Sequence, residues 1–219
     1  MLNHIITGFA VSVMVVTVGV MGWMAFDNPN EVTLLPETYE DVEKISTHLD
    51  MAVESFENNV EVAAREIRNA VDLMEKELEQ ASDQGKALLS DSISELTSLS
   101  NSIEQGAVTS IDEVEAAVAR AYHALGTNEY YVAVRSWSEQ RIEDTAMALD
   151  KARSYFEELS VNAGERIEPV LVSLSENLRE ISGTLVETSG LATSEIGHFI
   201  ENAGEQIQQL GQEILPEDQ

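Results

Sequence analysis

The sequence predicts an all-α protein: a single N-terminal transmembrane helix, then an elongated helical bundle in which long amphipathic helices flank a central helical hairpin. Three observations lead there. Residues 5–26 carry no charge at all. Over most of the remaining chain, apolar residues recur at spacings of three and four, the period of a helix with one buried face. Aromatic residues make up only 5% of the chain and prolines number 4, which suits helices better than a sandwich of sheets.

The uncharged segment comes first. Its only clearly polar members are Thr7, Ser12 and Thr17, and at ~1.5 Å per residue its helix would be about 33 Å long, enough for a bilayer core. A cleaved signal peptide would need a basic start, a shorter apolar core and a small-residue cleavage site. Residues 1–4 hold no Lys or Arg, and Met24, Ala25 and Phe26 make a poor site, so residues 1–26 read as an uncleaved anchor. No basic residue precedes Lys44, whereas Asp27, Glu31, Glu37, Glu40, Asp41 and Glu43 follow the span. The expected orientation is N-terminus cytoplasmic and C-terminal domain periplasmic, as a single-pass protein of a bacterial inner membrane. Gly8, Ser12, Gly19 and Gly22 fall within roughly 80° of one another on a helix. A stripe of small residues lets another membrane helix approach closely, so these four are the candidate packing face toward an integral membrane protein.

Residues 27–37, with two prolines and two asparagines, read as a juxtamembrane linker. Thr38, with Asp41 three residues on, is a candidate helix cap. From there Val42, Ile45, Leu49, Val53, Phe56, Val60, Ala64, Ile67, Val71, Met74 and Leu78 form one stripe. It repeats every eleven residues, which keeps a seam nearly straight or slightly right-handed. The stripe weakens at 82–85 and resumes through Leu88, Leu89, Ile93, Leu96, Leu99 and Ile103. The expectation is one amphipathic helix over 38–105, bent near residue 85; unbroken it would be ~100 Å long.

Gly106 is placed to end that helix, and Ser110 with Glu113 to cap the next. Residues 110–160 read as a helical hairpin turning near 138–141. Its first arm carries Tyr130, Tyr131, Ala133, Val134 and Trp137, and its second Ala146, Leu149, Ala152 and Phe156. A further amphipathic run occupies 163–215, with Pro169 tolerable in its first turn, and 216–219 form a tail. The eleven-residue rows return in Ala192, Ala203 and Ile214. Seams of equal pitch suit antiparallel partners, so the two long helices are expected to pair, joined at one end by the hairpin.

The hairpin also resembles bacterial helical-hairpin proteins of the tetratricopeptide-like or YfdX-like kind over residues 118–160. The resemblance is carried by Ala121, Tyr130, Tyr131, Ala133, Trp137, Ala146, Leu149, Ala152 and Tyr155. It implies a protein-binding or envelope-stress module rather than a catalyst, and a single hairpin departs from a stacked repeat array.

Composition narrows the function further. With Asp+Glu 40 against Lys+Arg 12 and a formal charge of -28, the chain has no electrostatic means of holding nucleic acid. Cys is absent, which excludes thiol catalysis and thiolate metal sites. His4, His48, His123 and His198 form no recognisable metal or triad spacing, and no cofactor or metal is expected. His123 reads as a partly exposed helix residue. Glu75, Glu77 and Glu79 read as part of a solvated face. An amphipathic helix at a membrane surface usually carries Lys or Arg on its polar face, and residues 192–219 contain neither.

Residues 118–156 differ from the rest, with five basic and five acidic residues and most of the aromatics outside the apolar span. Tyr130, Tyr131, Arg135, Trp137 and Arg141 are therefore candidate partner-binding residues, set against the plainer reading that the aromatics fill the hairpin's interior and the arginines pair within it. The expected role is a non-enzymatic accessory or scaffolding subunit of a membrane or envelope complex. The amphipathic helices would meet a helical partner or self-associate. Two alternatives remain: a secreted stress-response or lipid-sheltering protein with a cleaved signal, and a self-assembling coiled structure.

Overall fold

Asn59 and Ser82 divide what the stripe suggested was one helix. In the computed structural model, which describes residues 37–162, 167–187 and 193–214, the stretch 38–105 is three helices: α1 (Glu37–Phe56), α2 (Val60–Gln80) and α3 (Asp83–Glu104). Asn59 caps α2 by accepting from the Val62 N–H at 3.2 Å, and Ser82 caps α3 by accepting from the Gly85 N–H at 2.9 Å. These side chains compete with the backbone for the helix's own hydrogen bonds, which makes them starts rather than interiors. The expected bend near residue 85 is thus a break at 81–82, with a second break at 57–59. Each helix is roughly 30 Å long instead of ~100 Å.

Four further helices follow: α4 (Ile111–Ser138), α5 (Ile142–Asn162), α6 (Glu168–Glu187) and α7 (Thr193–Ile214). Among the described residues there is no strand, so the fold is all-α. The run expected as one helix over 163–215 comprises two. The predicted anchor, with Gly8, Ser12, Gly19 and Gly22, lies outside the described residues, and among those described no helix is long and apolar enough to cross a membrane.

Helix ends follow the sequence closely around α4. Gly106 adopts φ 66°, and Ala107 N–H reaches back to the Ser102 carbonyl at 2.9 Å, a left-handed stop for α3. Ser110 then caps α4 by accepting from the Asp112 N–H at 3.2 Å. The hairpin turns where expected: α4 ends at Ser138 and Gln140 takes φ 61°, with Arg141 N–H bonded to the Ser136 carbonyl at 2.9 Å.

Each helix packs on the next in sequence, and α4 additionally meets α1 and α7, while α1 also meets α5. Among the described residues the two long runs do not pair with one another as expected; α4 stands between them. Its composition explains why. Ala116, Ala117, Ala119, Ala121, Ala124, Gly126 and Ala133 distribute small side chains around the whole circumference, so neighbours can close in from every side, and a helix with no continuous polar face belongs inside. Around Leu125 of this helix the core is built from Ile45, Leu49, Met74, Leu89, Leu96, Leu149, Tyr155 and Phe156, all buried. Burying each large side chain is worth about 1.5–3 kcal/mol.

The eleven-residue rows identify the buried face even though the helix is not continuous. Ile45, Phe56 and Ile67 are buried, as are Leu49 and Val71. Val53 and Leu78 are half-buried, and Val60, in the first turn of α2, is exposed.

Candidate functional site

From 121 to 130 every residue of α4 is buried, polar ones included. Side chains with chemistry are therefore held inside the bundle and have to be satisfied there. Toward α1, the Tyr122 hydroxyl donates to Asp50 Oδ1 at 2.8 Å and to the Ser46 carbonyl at 3.3 Å. Burial, with the Asp50 charge beside it, pushes this phenol far above its ordinary range, so Tyr122 is a fixed donor.

Toward α7, the Tyr130 hydroxyl donates to the Ile200 carbonyl at 2.8 Å, and burial pushes its pKa up to about 12. His123 Nε2 lies 3.4 Å from the Ile207 carbonyl, a donation that requires the Nε2–H tautomer. Its ring stands edge-on to Phe156, with centroids 6.4 Å apart. The expectation of a partly exposed His123 is corrected: it is 6% exposed, and burial lowers its pKa, keeping it neutral. Both side chains fit because α7 offers glycines. A Cβ at Gly204 would sit 2.4 Å from the Tyr130 hydroxyl oxygen, and one at Gly211 would sit 3.1 Å from the His123 ring.

The third direction holds the most unusual chemistry. Asn128 Oδ1 accepts the backbone N–H of Ser82 at 3.1 Å, which ties the corner between α2 and α3 to α4. Gly85 makes room for it, since a Cβ there would meet Asn128 Oδ1 at 2.1 Å. The Asn128 amide nitrogen donates to Glu129 Oε1 at 3.4 Å. Glu129 is 7% exposed, and burial raises its pKa to about 7; Lys151 opposes the rise and Glu77 adds to it.

Glu77 is itself half-buried and raised, by burial first, with Lys151 opposing and Asp41 adding. The reading of Glu77 as part of a solvated face is therefore corrected: near the end of α2 it turns toward the α4–α5 hairpin. Tyr155 lies in the same neighbourhood, held well above the ordinary phenol range by burial and by Glu77, Glu129 and Asp41. Four helices thus bring Asp41, Glu77, Glu129, Lys151 and Tyr155 within electrostatic reach of one another. Such a cluster can take up and release a proton near neutral pH. Among the described residues no group of His, Asp and Glu is arranged to hold a metal ion.

The candidate partner-binding residues do not share one face. Tyr130 is interior, as described. Tyr131 is half-buried with its ring 5.6 Å from that of Tyr130, and Trp137 is half-buried against the core. Arg135 is exposed, and Arg141 pairs with Glu139 at 2.8 Å and with Asp144. Arg153 likewise pairs within α5, with Asp150 and Glu157. Arg120 reaches out of the hairpin instead, its Nε 2.9 and 3.0 Å from the two oxygens of Glu95 on α3. That pair stands in an open groove of about 720 Å³ between α3 and α4, whose walls also carry Asp91, Ser98, Leu99 and Asp112.

Sequence reasoning passed over Asn128 and Glu129. Their signal was present: in a helix with small residues on every side, the polar residues have no outer face to occupy. Compared with protein-family models, curated proteins and solved structures, the chain finds no match in any of the three.

Proposed function

We propose that this chain is a non-enzymatic, single-pass membrane protein whose acidic helical domain acts as an accessory or scaffolding subunit of a membrane or envelope complex. The observation that carries the reading is that four of the buried polar side chains of α4 are committed to the fold itself. Tyr122, His123, Asn128 and Tyr130 each spend their polar atoms on Asp50, Ile207, Ser82 and Ile200. The reading places the role on the outer surface, in a chain of -28, and on the uncharged segment 5–26. That segment supports a tether, and the acidic residues after it support a domain on the periplasmic side. The resemblance of the hairpin to protein-binding modules points the same way.

The test is purification of the full chain from membranes in mild detergent, alongside the Gly19→Leu and Gly22→Leu variants. Retention in the membrane fraction with loss of co-purifying protein in the variants is the expected result. A mature chain that starts near Asp27 would overturn the anchor, and unchanged recovery of partners would overturn docking through the small-residue face.

A further inference from the structure

We propose that Glu77, Glu129 and Lys151 form a proton-operated latch that holds the α2–α3 corner against the α4–α5 hairpin, closed while Glu129 carries a proton and loosened when it does not. The proposal is independent of what the domain binds.

The geometry starts from Glu129. Its carboxyl group is buried, and among the described residues its one hydrogen-bond partner is the amide of its own neighbour, Asn128, at 3.4 Å. A buried carboxylate needs several good donors to stay ionised, and this one has a single long contact. The same Asn128 side chain accepts from Ser82 and presses on Gly85. The group that titrates is therefore one bond away from the tie that fixes the corner.

Charge balance sets the direction. With Glu129 protonated, Lys151 on α5 and Glu77 on α2 bear on one another electrostatically as one charge of each sign. With Glu129 ionised, a buried and a half-buried carboxylate share the influence of one ammonium, and Asp41 on α1 adds a further negative charge that bears on Glu77 and Tyr155. Nothing from the other neighbours offsets this. Near the tie α3 offers neutral Ser82 and Gly85, with Asp83 paired to Lys86 out in solvent. On α7 the charge bearing on this stretch is Glu201, which acts on Tyr130 and is negative as well. Opening the corner hydrates the surplus charge, so deprotonation favours the open form.

The sign follows from the raised pKa of Glu129, about 7 when closed against an ordinary 4.5. The closed form binds the proton more tightly, so closure is strongest below pH 4.5, weakens as pH rises from there through about 7, and levels off above. Between pH 6 and pH 8 the opening constant should rise about tenfold.

Hydrogen exchange of the amides at 77–86 in the full chain, corrected for the intrinsic pH dependence of exchange, reads this directly. The wild type is expected to lose about tenfold in protection from pH 6 to pH 8, and Glu129→Gln to keep its protection at both. Should Glu129→Gln fail to fold, two other variants decide. Lys151→Met removes the opposing positive charge and moves the transition to higher pH, whereas Glu77→Gln removes the neighbouring negative charge and moves it to lower pH. A merely structural cluster would not shift a titration in opposite directions. Protection that is independent of pH in the wild type, or shifts that are absent or of one sign in the two variants, would overturn the latch.

Discussion

The Tyr130 hydroxyl donates to the Ile200 carbonyl at 2.8 Å directly over Gly204, where a Cβ would stand only 2.4 Å from the same oxygen. The hydrogen bond and the missing side chain are two halves of one joint between α4 and α7. Gly204→Ala should therefore destabilise the domain by about 1–3 kcal/mol, as overfilling a packed contact does, and Tyr130→Phe by about 1 kcal/mol through the lost hydrogen bond. The double variant should cost less than the sum, because removing the hydroxyl makes room for the methyl group. Urea midpoints of the four proteins measure this coupling, and simple additivity would separate the two effects.

Gln140 is the one described residue other than glycine with a positive φ, at 61°. It occupies the left-handed stop after α4 that Gly106 fills after α3, and a side chain there costs about 1 kcal/mol. Gln140→Gly should stabilise the domain by up to about that amount, less the entropy glycine adds to the unfolded chain. A fall in thermal midpoint would show that Gln140 earns its place through its side chain.

Asn128 provides a sharper test of the corner. Asn128→Ala leaves the buried Ser82 N–H without its acceptor and should cost about 1–3 kcal/mol. Ser82→Ala keeps that backbone bond and loses the cap on Gly85, for about 1 kcal/mol. Chemical denaturation ranks the two, and a larger loss from Ser82→Ala would mean that the cap, not the tie, fixes the corner.

How far the sequence could be read depends on which physical signal each feature leaves. Apolar spacing reports which face is buried, and Ile45, Phe56 and Ile67 are buried as the eleven-residue rows require. Spacing does not report continuity, because the short turn at 57–59 leaves the rows in phase across the break. The punctuation lay instead in Asn59 and Ser82, capping side chains inside the stripe. Gly106, Ser110 and the turn near 138–141 stand out because each is bounded by strong local chemistry. Glu77 and His123 were misplaced for a different reason: whether a polar residue faces water depends on which helices surround it, and the all-round enclosure of α4 comes from packing between distant segments. The membrane-helix residues Gly8, Ser12, Gly19 and Gly22 rest on the sequence reading alone.

His123 gives the domain an acid limit that can be separated from the latch. Burial lowers its pKa below the ordinary 6.5, so the folded protein binds fewer protons at this site than the unfolded chain. Its contribution is fully present above pH 6.5 and is lost as pH falls through 6.5 toward the folded value. Glu129 acts with the opposite sign over an overlapping range, losing stability as pH rises. Glu66 adds a loss at lower pH: burial alone would raise it, but hydrogen bonds from His48, Arg65 and Asn69 outweigh burial and hold its pKa below the ordinary carboxylate value. His123 and Glu129 oppose one another between pH 5 and pH 6.5, so stability should change little there and decline from pH 6.5 toward pH 8. His123→Gln should make stability rise as pH falls from 6.5 to 5 while leaving the decline toward pH 8 unchanged, and Glu129→Gln should make stability fall over the first interval and remove the decline over the second. Urea midpoints taken from pH 5 to pH 8 test both arms at once; a His123→Gln profile that parallels the wild type throughout would mean that the imidazole gains no proton on unfolding in this range.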